Sequence, residues 1–407
     1  MARMLVVGVM KPYDGIDSGE MMAVAHSIAS NNSFANPFQI PTGPTAHVAP
    51  AYAYFLALLL KAAPSGLPFK LITVALGTLA SSLTWALLPL AAACMEIDWR
   101  AGLCAGLLGA VNPLRHLIEL DGTWEASFAA LSLLLLVLLS FRWRRRFKDV
   151  RYALVLGGCW GLALWLQPEF VSVFLAILVL LLASAPRGSR LVTFRSVWLA
   201  LASMSIVIAP WIIRNEFALG GFTFMRSNFG LELDISNNDH AFAEISQNLH
   251  RNSNSSHPDV NIPEARRMAA VGELNYYRFR LRRALGWISG HPLRFLELSA
   301  QRFVYFWIPL RRLVLLRAAE ALITLAALAG LAMLIQARSP ASWFIVAIWI
   351  SQPMVYYFIQ ADERYRYPIE WIIALCAGYF LTASRHHGAI LSSLGRGGLA
   401  KRAAITN

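Results

Sequence analysis

Long apolar runs recur along this chain at lengths suited to a lipid bilayer, and no other feature limits its fold so strongly. They lie at about 69–94, 101–117, 123–141, 150–166, 169–185, 197–213, 313–336, 342–359 and 368–384. A hydrocarbon core about 30 Å thick takes a helix of roughly 20 apolar residues. The backbone finds no water there, so each crossing segment must be helical to satisfy its own N–H and C=O groups. With an apolar stub over residues 1–10, the pattern predicts an all-α polytopic transmembrane bundle of about ten spans, with extracytoplasmic loops and short interfacial helices. Composition points the same way: 14% of residues are charged, against about 25% in a soluble domain.

The net charge of +13 would point to nucleic acid in a soluble protein. Here much of the surplus sits in short loops between apolar runs, where it reads as membrane topology, and no nucleic-acid partner is expected. The block Arg142-Trp-Arg-Arg-Arg-Phe-Lys148 is placed in the cytoplasm by the positive-inside rule, together with Arg187, Arg190, Arg195 and the tail. Alternation then puts 11–68, 114–122, 214–312 and 360–367 outside. The short run 51–62 is read as an interfacial helix on the outer leaflet. The expected organisation is a membrane region 1–213 whose first outer loop, 11–68, carries the chemistry, followed by an extracytoplasmic region 214–312. Membrane helices 313–384 and a basic cytoplasmic tail 385–407 complete the chain. Residues 263–300 carry helical patterning. Residues 1–10 are too short to span, and no cleavable signal peptide is evident. Cys94, Cys104, Cys159 and Cys376 lie in apolar runs without metal-ligand spacing, so they read as buried thiols.

Charged residues beside a bilayer are costly and survive where they line a wet or substrate-filled cavity. Four groups fall on the predicted outer face. Asp14, Asp17 and Glu20 form the first; capping of the helix that starts at Glu20 is the competing explanation, but three acids exceed what a cap needs. Glu119, Asp121 and Glu125 form the second, again with helix capping as the alternative, preferred for Asp121. The third is Asp362-Glu-Arg-Tyr-Arg-Tyr-Pro368, in which Arg364 and Arg366 run against the positive-inside bias and present guanidinium forks suited to phosphate. The alternative is an exposed loop in which Asp362 and Glu363 neutralise both. The fourth spans Ala209-Pro-Trp-Ile-Ile-Arg-Asn215 and Arg226-Ser-Asn-Phe-Gly-Leu-Glu232; Arg214 is a site candidate or a snorkelling side chain. His47 is as easily a packed loop residue as a ligand, and Glu169, after Gln167-Pro168, reads by default as a cap.

These motifs, in this order, resemble one family. Glu20 with its following helical segment, Phe34-Ala-Asn-Pro-Phe38 and Thr42-Gly-Pro-Thr-Ala-His-Val-Ala-Pro-Ala-Tyr52 are similar to the first outer loop of the type-C (GT-C) membrane glycosyltransferases, in the protein-mannosyltransferase and aminoarabinose-transferase branch. The 209–215 and 226–232 segments and Arg364-Tyr-Arg-Tyr-Pro368 resemble later parts of the same proteins. The matches reach from near residue 12 to near 370. The resemblance implies a cell-envelope enzyme of the bacterial inner membrane, its site facing the exterior. It would move a hexosyl or pentosyl group from a polyprenyl-phosphate-linked donor to a lipid, glycan or protein acceptor. By position it makes Glu20 the first-loop acid, with Asp17 competing. Glu125 becomes the acid after the next outer loop, and Arg364 and Arg366 the donor-phosphate ligands. The Asp-Glu pair frequent in the family is absent, since Gly19 precedes Glu20.

The chemistry agrees with that reading. An inverting displacement needs a base for the acceptor and cations, side chains or a divalent metal, for the leaving phosphate; no cofactor is otherwise called for. The alternative is a transporter or flippase of a lipid-linked sugar. A transporter would carry its charges near the bilayer midplane in paired halves, whereas here the acids gather in outer loops and the chain has no evident two-half symmetry.

Overall fold

A computed structural model describes residues 19–63, 66–111, 124–250, 256–308 and 314–383. The described residues are helical throughout, with two isolated bridges, Ala35 to Pro44 and Glu244 to Ala361, and no strand. Among the described residues, four helices are long and apolar enough to cross a membrane: Leu67–Ala86, Ala126–Trp143, Arg187–Leu219 and Arg317–Gln336. Apolar helices of 10–17 residues, Pro50–Ala62, Trp99–Val111, Val150–Leu166 and Phe170–Ser184, stand among them. The expected run at 197–213 is the centre of a longer helix, Arg190–Leu219, so residues 214–219 continue that helix instead of opening a loop. The four cysteines are free thiols.

Small residues set how closely the helices approach. Lipid tails are as apolar as leucine side chains, so membrane helices gain from tight contact and not from burial alone. Gly157 and Gly161, one turn apart, let Val150–Leu166 lie against Arg190–Leu219. A Cβ on Gly157 would stand 2.0 Å from the Ala200 carbonyl oxygen, and one on Gly161 would stand 2.8 Å from Val207. Gly330 does the same for the closing helix, 370–383, against the Cys376 carbonyl. Buried indoles add interhelical hydrogen bonds: Trp143 donates to Ser196 Oγ at 3.2 Å and Trp160 to Ser140 Oγ at 3.1 Å.

Residues 229–250 and 256–307 form a further group of helices, Phe229–Ser236, Ile245–His250, Ile262–Val271, Glu273–Gly290 and Pro292–Trp307, packed on the first loop and on segment 352–361. Their own small core joins Leu231, Ile235, Met268, Tyr276 and Tyr277 to Phe38 of the first loop. Buried charges brace it. Asp234 pairs with both Arg280 and Arg283, and Arg280 also reaches Glu264 at 3.1 Å. Arg302, fully buried, donates to the Ser236 and Phe358 carbonyls and to Asn237 Oδ1. It thereby caps the C-terminus of Phe229–Ser236 with positive charge and joins this group of helices to segment 352–361.

Candidate active site

Gly19 adopts φ 95°, a left-handed turn that suits glycine, and the chain enters the helix Glu20–Asn31 immediately after it. Glu20 makes no cap bond of its own to that helix. It projects toward two histidines. Its Oε2 lies 2.9 Å from His47 Nε2 and its Oε1 lies 3.3 Å from His257 Nε2. His47 is fully buried, with Nδ1 at 2.6 Å from the Tyr277 hydroxyl. His257 Nδ1 accepts the backbone N–H of Asp259 at 3.1 Å, which leaves the hydrogen of the neutral ring on Nε2, facing Glu20.

The loop that carries His47 is tied at every step. Glu273 accepts from Thr45 Oγ1, from the Ala46 backbone N–H at 2.8 Å and from Ser227 Oγ at 2.6 Å. Arg226 Nε donates to the His47 carbonyl at 2.9 Å. Arg214 donates to the carbonyls of Thr45 and Phe34 at 2.6 and 2.7 Å and lies over the Phe34 and Trp211 rings. Arg214, a site candidate in the sequence, is therefore a brace beneath the loop, because both ends of its fork are spent on backbone oxygens.

Electrostatics follow from this packing. Burial alone would raise the Glu20 carboxyl, but His47, His257 and Arg226 outweigh it and hold it at about 2. Burial alone would lower the His47 imidazole; Glu20 reverses that and holds it above its ordinary value. The two shifts have the signs of an ion pair. Burial also pushes the Tyr277 hydroxyl well up, so it stays protonated as a partner for His47.

Glu20 opens onto a cavity of about 550 Å³, within the range of small-molecule sites. Its lining mixes charged groups, Glu125, Glu169, Glu232, Arg226 and Arg364, with apolar ones, among them Val171, Phe224, Met354, Val355 and Phe358. Met354 and Phe358 are 49% and 41% exposed, so apolar surface continues outward from the cavity. Arg364 lies 3.9 Å from the Trp124 ring centroid and 5.2 Å from that of Tyr365, and its Nε is 3.9 Å from Asp362 Oδ1. Burial opposes its charge, yet Tyr365 and Asp362 keep the guanidinium firmly protonated. Arg226, 3.6 Å from Glu169, is likewise held charged against burial, chiefly by Glu169 and Glu125.

Arg366 is not with them. It is 1% exposed, ion-paired with Glu370 at 2.7 Å and Glu320 at 3.7 Å, and donates to the Trp307 carbonyl and Thr324 Oγ1. The reason is helical geometry. Glu363–Arg366 is a turn of helix, and residues two apart on a helix point roughly 200° apart. Asp14, Asp17, Glu119 and Asp121 lie outside the described residues. Glu20, His47, Glu125 and Arg364 are brought to one place. His257, Tyr277 and Glu273 join them without having been singled out in the sequence. Each is one polar residue in a polar region, more than two hundred positions from its partner in the first loop, and no local pattern marks it.

No protein-family model matches the sequence, and no curated protein matches it. Three solved structures of the AglB oligosaccharyltransferase from Archaeoglobus fulgidus are similar to it in fold. The apo form superposes with a TM-score of 0.58 at 14% identity, covering 97% of this chain and 51% of that one. The complex with an inhibitory peptide and a dolichol-phosphate gives 0.56 at 14%, covering 95% and 48%. The complex with Zn and sulfate gives 0.55 at 16%, covering 97% and 50%. The chain thus spans about half the length of these enzymes. Nearly all of it superposes on a type-C membrane glycosyltransferase, and that is its fold.

Proposed function

We propose that the chain transfers a sugar from a polyprenyl-phosphate-linked donor to an acceptor on the extracytoplasmic side of the membrane. The observation that carries this is the mixed lining of the cavity: carboxylate and guanidinium groups together with apolar side chains, and apolar surface that leads out past Met354 and Phe358. An amphiphile with a charged junction between sugar and prenyl chain fits such a lining. The dolichol-phosphate in one complex of the archaeal enzyme belongs to the same chemical class.

In this reading Arg364, assisted by Arg226, holds the phosphate, since guanidinium bonds to phosphate are charge-assisted and bidentate. Glu20 accepts a hydrogen bond from the acceptor's nucleophilic group. As that group bonds to the anomeric carbon, the carbon–oxygen bond to phosphate breaks and polyprenyl phosphate leaves with the bonding pair. The attacking group becomes strongly acidic only as it bonds, so Glu20, at about 2, takes its proton late. His47 and His257 keep the carboxylate ionised and aimed until then. Inversion follows if acid and phosphate ligands lie on opposite faces of the sugar.

Glu20, His47 and His257 each offer a ligand atom within 4.8 Å of one another, and the archaeal enzyme was solved with Zn. Glu20 and His47 fit a divalent cation: His47 Nε2 is buried with Glu20 as its facing group, and its other nitrogen is held by Tyr277. His257 fits less well, because its Nδ1 is taken by a backbone donor and its Nε2 carries the hydrogen. A cation held by Glu20 and His47 would supply positive charge on the acceptor side, where it would make the acceptor's nucleophilic group more acidic.

The test is transfer in vitro with a panel of polyprenyl-phosphate sugars. Glu20→Gln keeps shape and removes charge, and lowers turnover by about 100-fold or more. Undiminished turnover in that variant would remove Glu20 from the chemistry.

A further inference from the structure

Three carboxylates in the cavity have no part in the steps above; Glu232 accepts from Asn228 Nδ2 and Gln360 Nε2, both at 3.3 Å, and that leaves Glu125 and Glu169. Glu125 precedes the helix Ala126–Trp143 and Glu169 precedes Phe170–Ser184. At such positions an acid ordinarily turns back to cap the first helical turn. Neither does: no cap hydrogen bond reaches either side chain. Both point into the cavity instead, and Oε2 of each is buried with no hydrogen-bond partner among the described residues. Glu125 is only 9% exposed. Glu169 lies 3.6 Å from Arg226 through Oε1, which fixes the carboxylate and leaves Oε2 to spare. A buried acceptor left unmade is costly, and two in one cavity mark where a ligand brings its own donors.

The cavity's charges narrow what that ligand group is. Arg226 and Arg364 are the cationic partners for a phosphate, and a phosphate oxygen would be repelled by Glu125 and Glu169. What remains of a glycosyl phosphate is its neutral ring, whose hydroxyls are hydrogen-bond donors. We propose that Glu125 and Glu169 form the subsite for the donor's sugar ring, each accepting a hydrogen bond from a ring hydroxyl. This rests on the lipid-linked donor proposed above and specifies which side chains read its sugar.

The test uses the full chain in nanodiscs. Binding is measured for undecaprenyl phosphate alone, for its glucosyl, mannosyl and galactosyl esters, and for singly deoxygenated versions of the hexose that binds best. Glu125→Gln and Glu169→Gln should bind bare undecaprenyl phosphate as tightly as wild type or more tightly, since a charge that repels phosphate is gone, while their preference for the sugar-bearing lipid falls about tenfold or more, as for a lost hydrogen bond to a charged group. Removing the matching hydroxyl should cost wild type that preference and cost the variant nothing further, the signature of a coupled pair. Variants that keep wild-type preference, or that lose affinity for both lipids alike, overturn the subsite. A wild-type chain that binds no undecaprenyl phosphate, with or without sugar, overturns the donor reading instead. Saturation-transfer NMR with free hexoses then decides the subsite: a transfer signal that disappears in Glu125→Gln upholds it, and a signal unchanged or absent overturns it.

Discussion

Arg364 and Arg366 stand two residues apart in one turn of helix and face opposite surroundings. Around Arg366 the fold has supplied two carboxylates, a carbonyl and a threonine hydroxyl, and the guanidinium is sealed among them. Around Arg364 it has supplied aromatic faces and one carboxylate at 3.9 Å, beside open cavity. A buried charge with matched partners is a structural joint. One kept charged while facing open space retains capacity for a ligand. The same contrast separates Glu370, which is paired with Arg366 at 2.7 Å away from the cavity, from Glu125, which lines the cavity.

The sharpest way to break this contrast is to delete each arginine and measure both stability and binding. Arg366→Ala strands Glu320 and Glu370 in the interior, and breaking a buried pair from one side costs about 3–5 kcal/mol. Thermal denaturation in detergent should show a large loss of stability. Arg364→Ala should leave the melting temperature nearly unchanged and weaken binding of undecaprenyl phosphate by roughly 1.5–3 kcal/mol. Arg364→Lys should restore only part, because an ammonium cannot reproduce the fork. Equal effects of the two alanine variants on both measurements would erase the distinction.

A smaller effect concerns Glu20 and acid. Its folded-state pKa of about 2 lies below the ordinary 4.5. Its contribution to stability is therefore complete above about 4.5 and lost as the pH falls toward 2. Melting temperature followed from about pH 6 to about pH 3 should drop less steeply in Glu20→Gln than in wild type, the two converging toward the acid end. Identical slopes would mean that the His47 and His257 contacts do not stabilise the carboxylate.

The smallest perturbation addresses which side of the membrane the cavity faces. Asn275 is exposed on the helix Glu273–Gly290. In a cysteine-free background, Asn275→Cys should react with an impermeant maleimide in intact cells. Reaction only after permeabilisation would turn the cavity to the cytoplasm and invert the proposed topology.

The fold was largely legible because bilayer thickness and hydrogen-bond satisfaction leave few options for repeated apolar runs. Glu20, Glu125 and Arg364, which line one cavity, stand out in the sequence for a related reason: charges beside a membrane are few, and each needs an explanation. Arg366 is not separable from Arg364 in the sequence, where the motif reads as a loop; as a helical turn, the two must face opposite ways. Glu169 reads as a cap, the default for an acid before a helix, whereas in the fold its side chain makes no cap bond and lines the cavity. His257, Tyr277 and Glu273 were out of reach, since what gathers them around His47 is the packing of the helices of 229–250 and 256–307 onto the first loop.

The central claim is that this cavity breaks a sugar–phosphate bond and does not merely carry a lipid-linked sugar across. Proteoliposomes of the purified chain, loaded with a radiolabelled undecaprenyl-phosphate hexose and an acceptor extract, separate the two. The account predicts that labelled sugar leaves the lipid and undecaprenyl phosphate accumulates, and that both cease in Glu20→Gln. Intact donor appearing in the opposite leaflet with no cleavage, in wild type and variant alike, would contradict it.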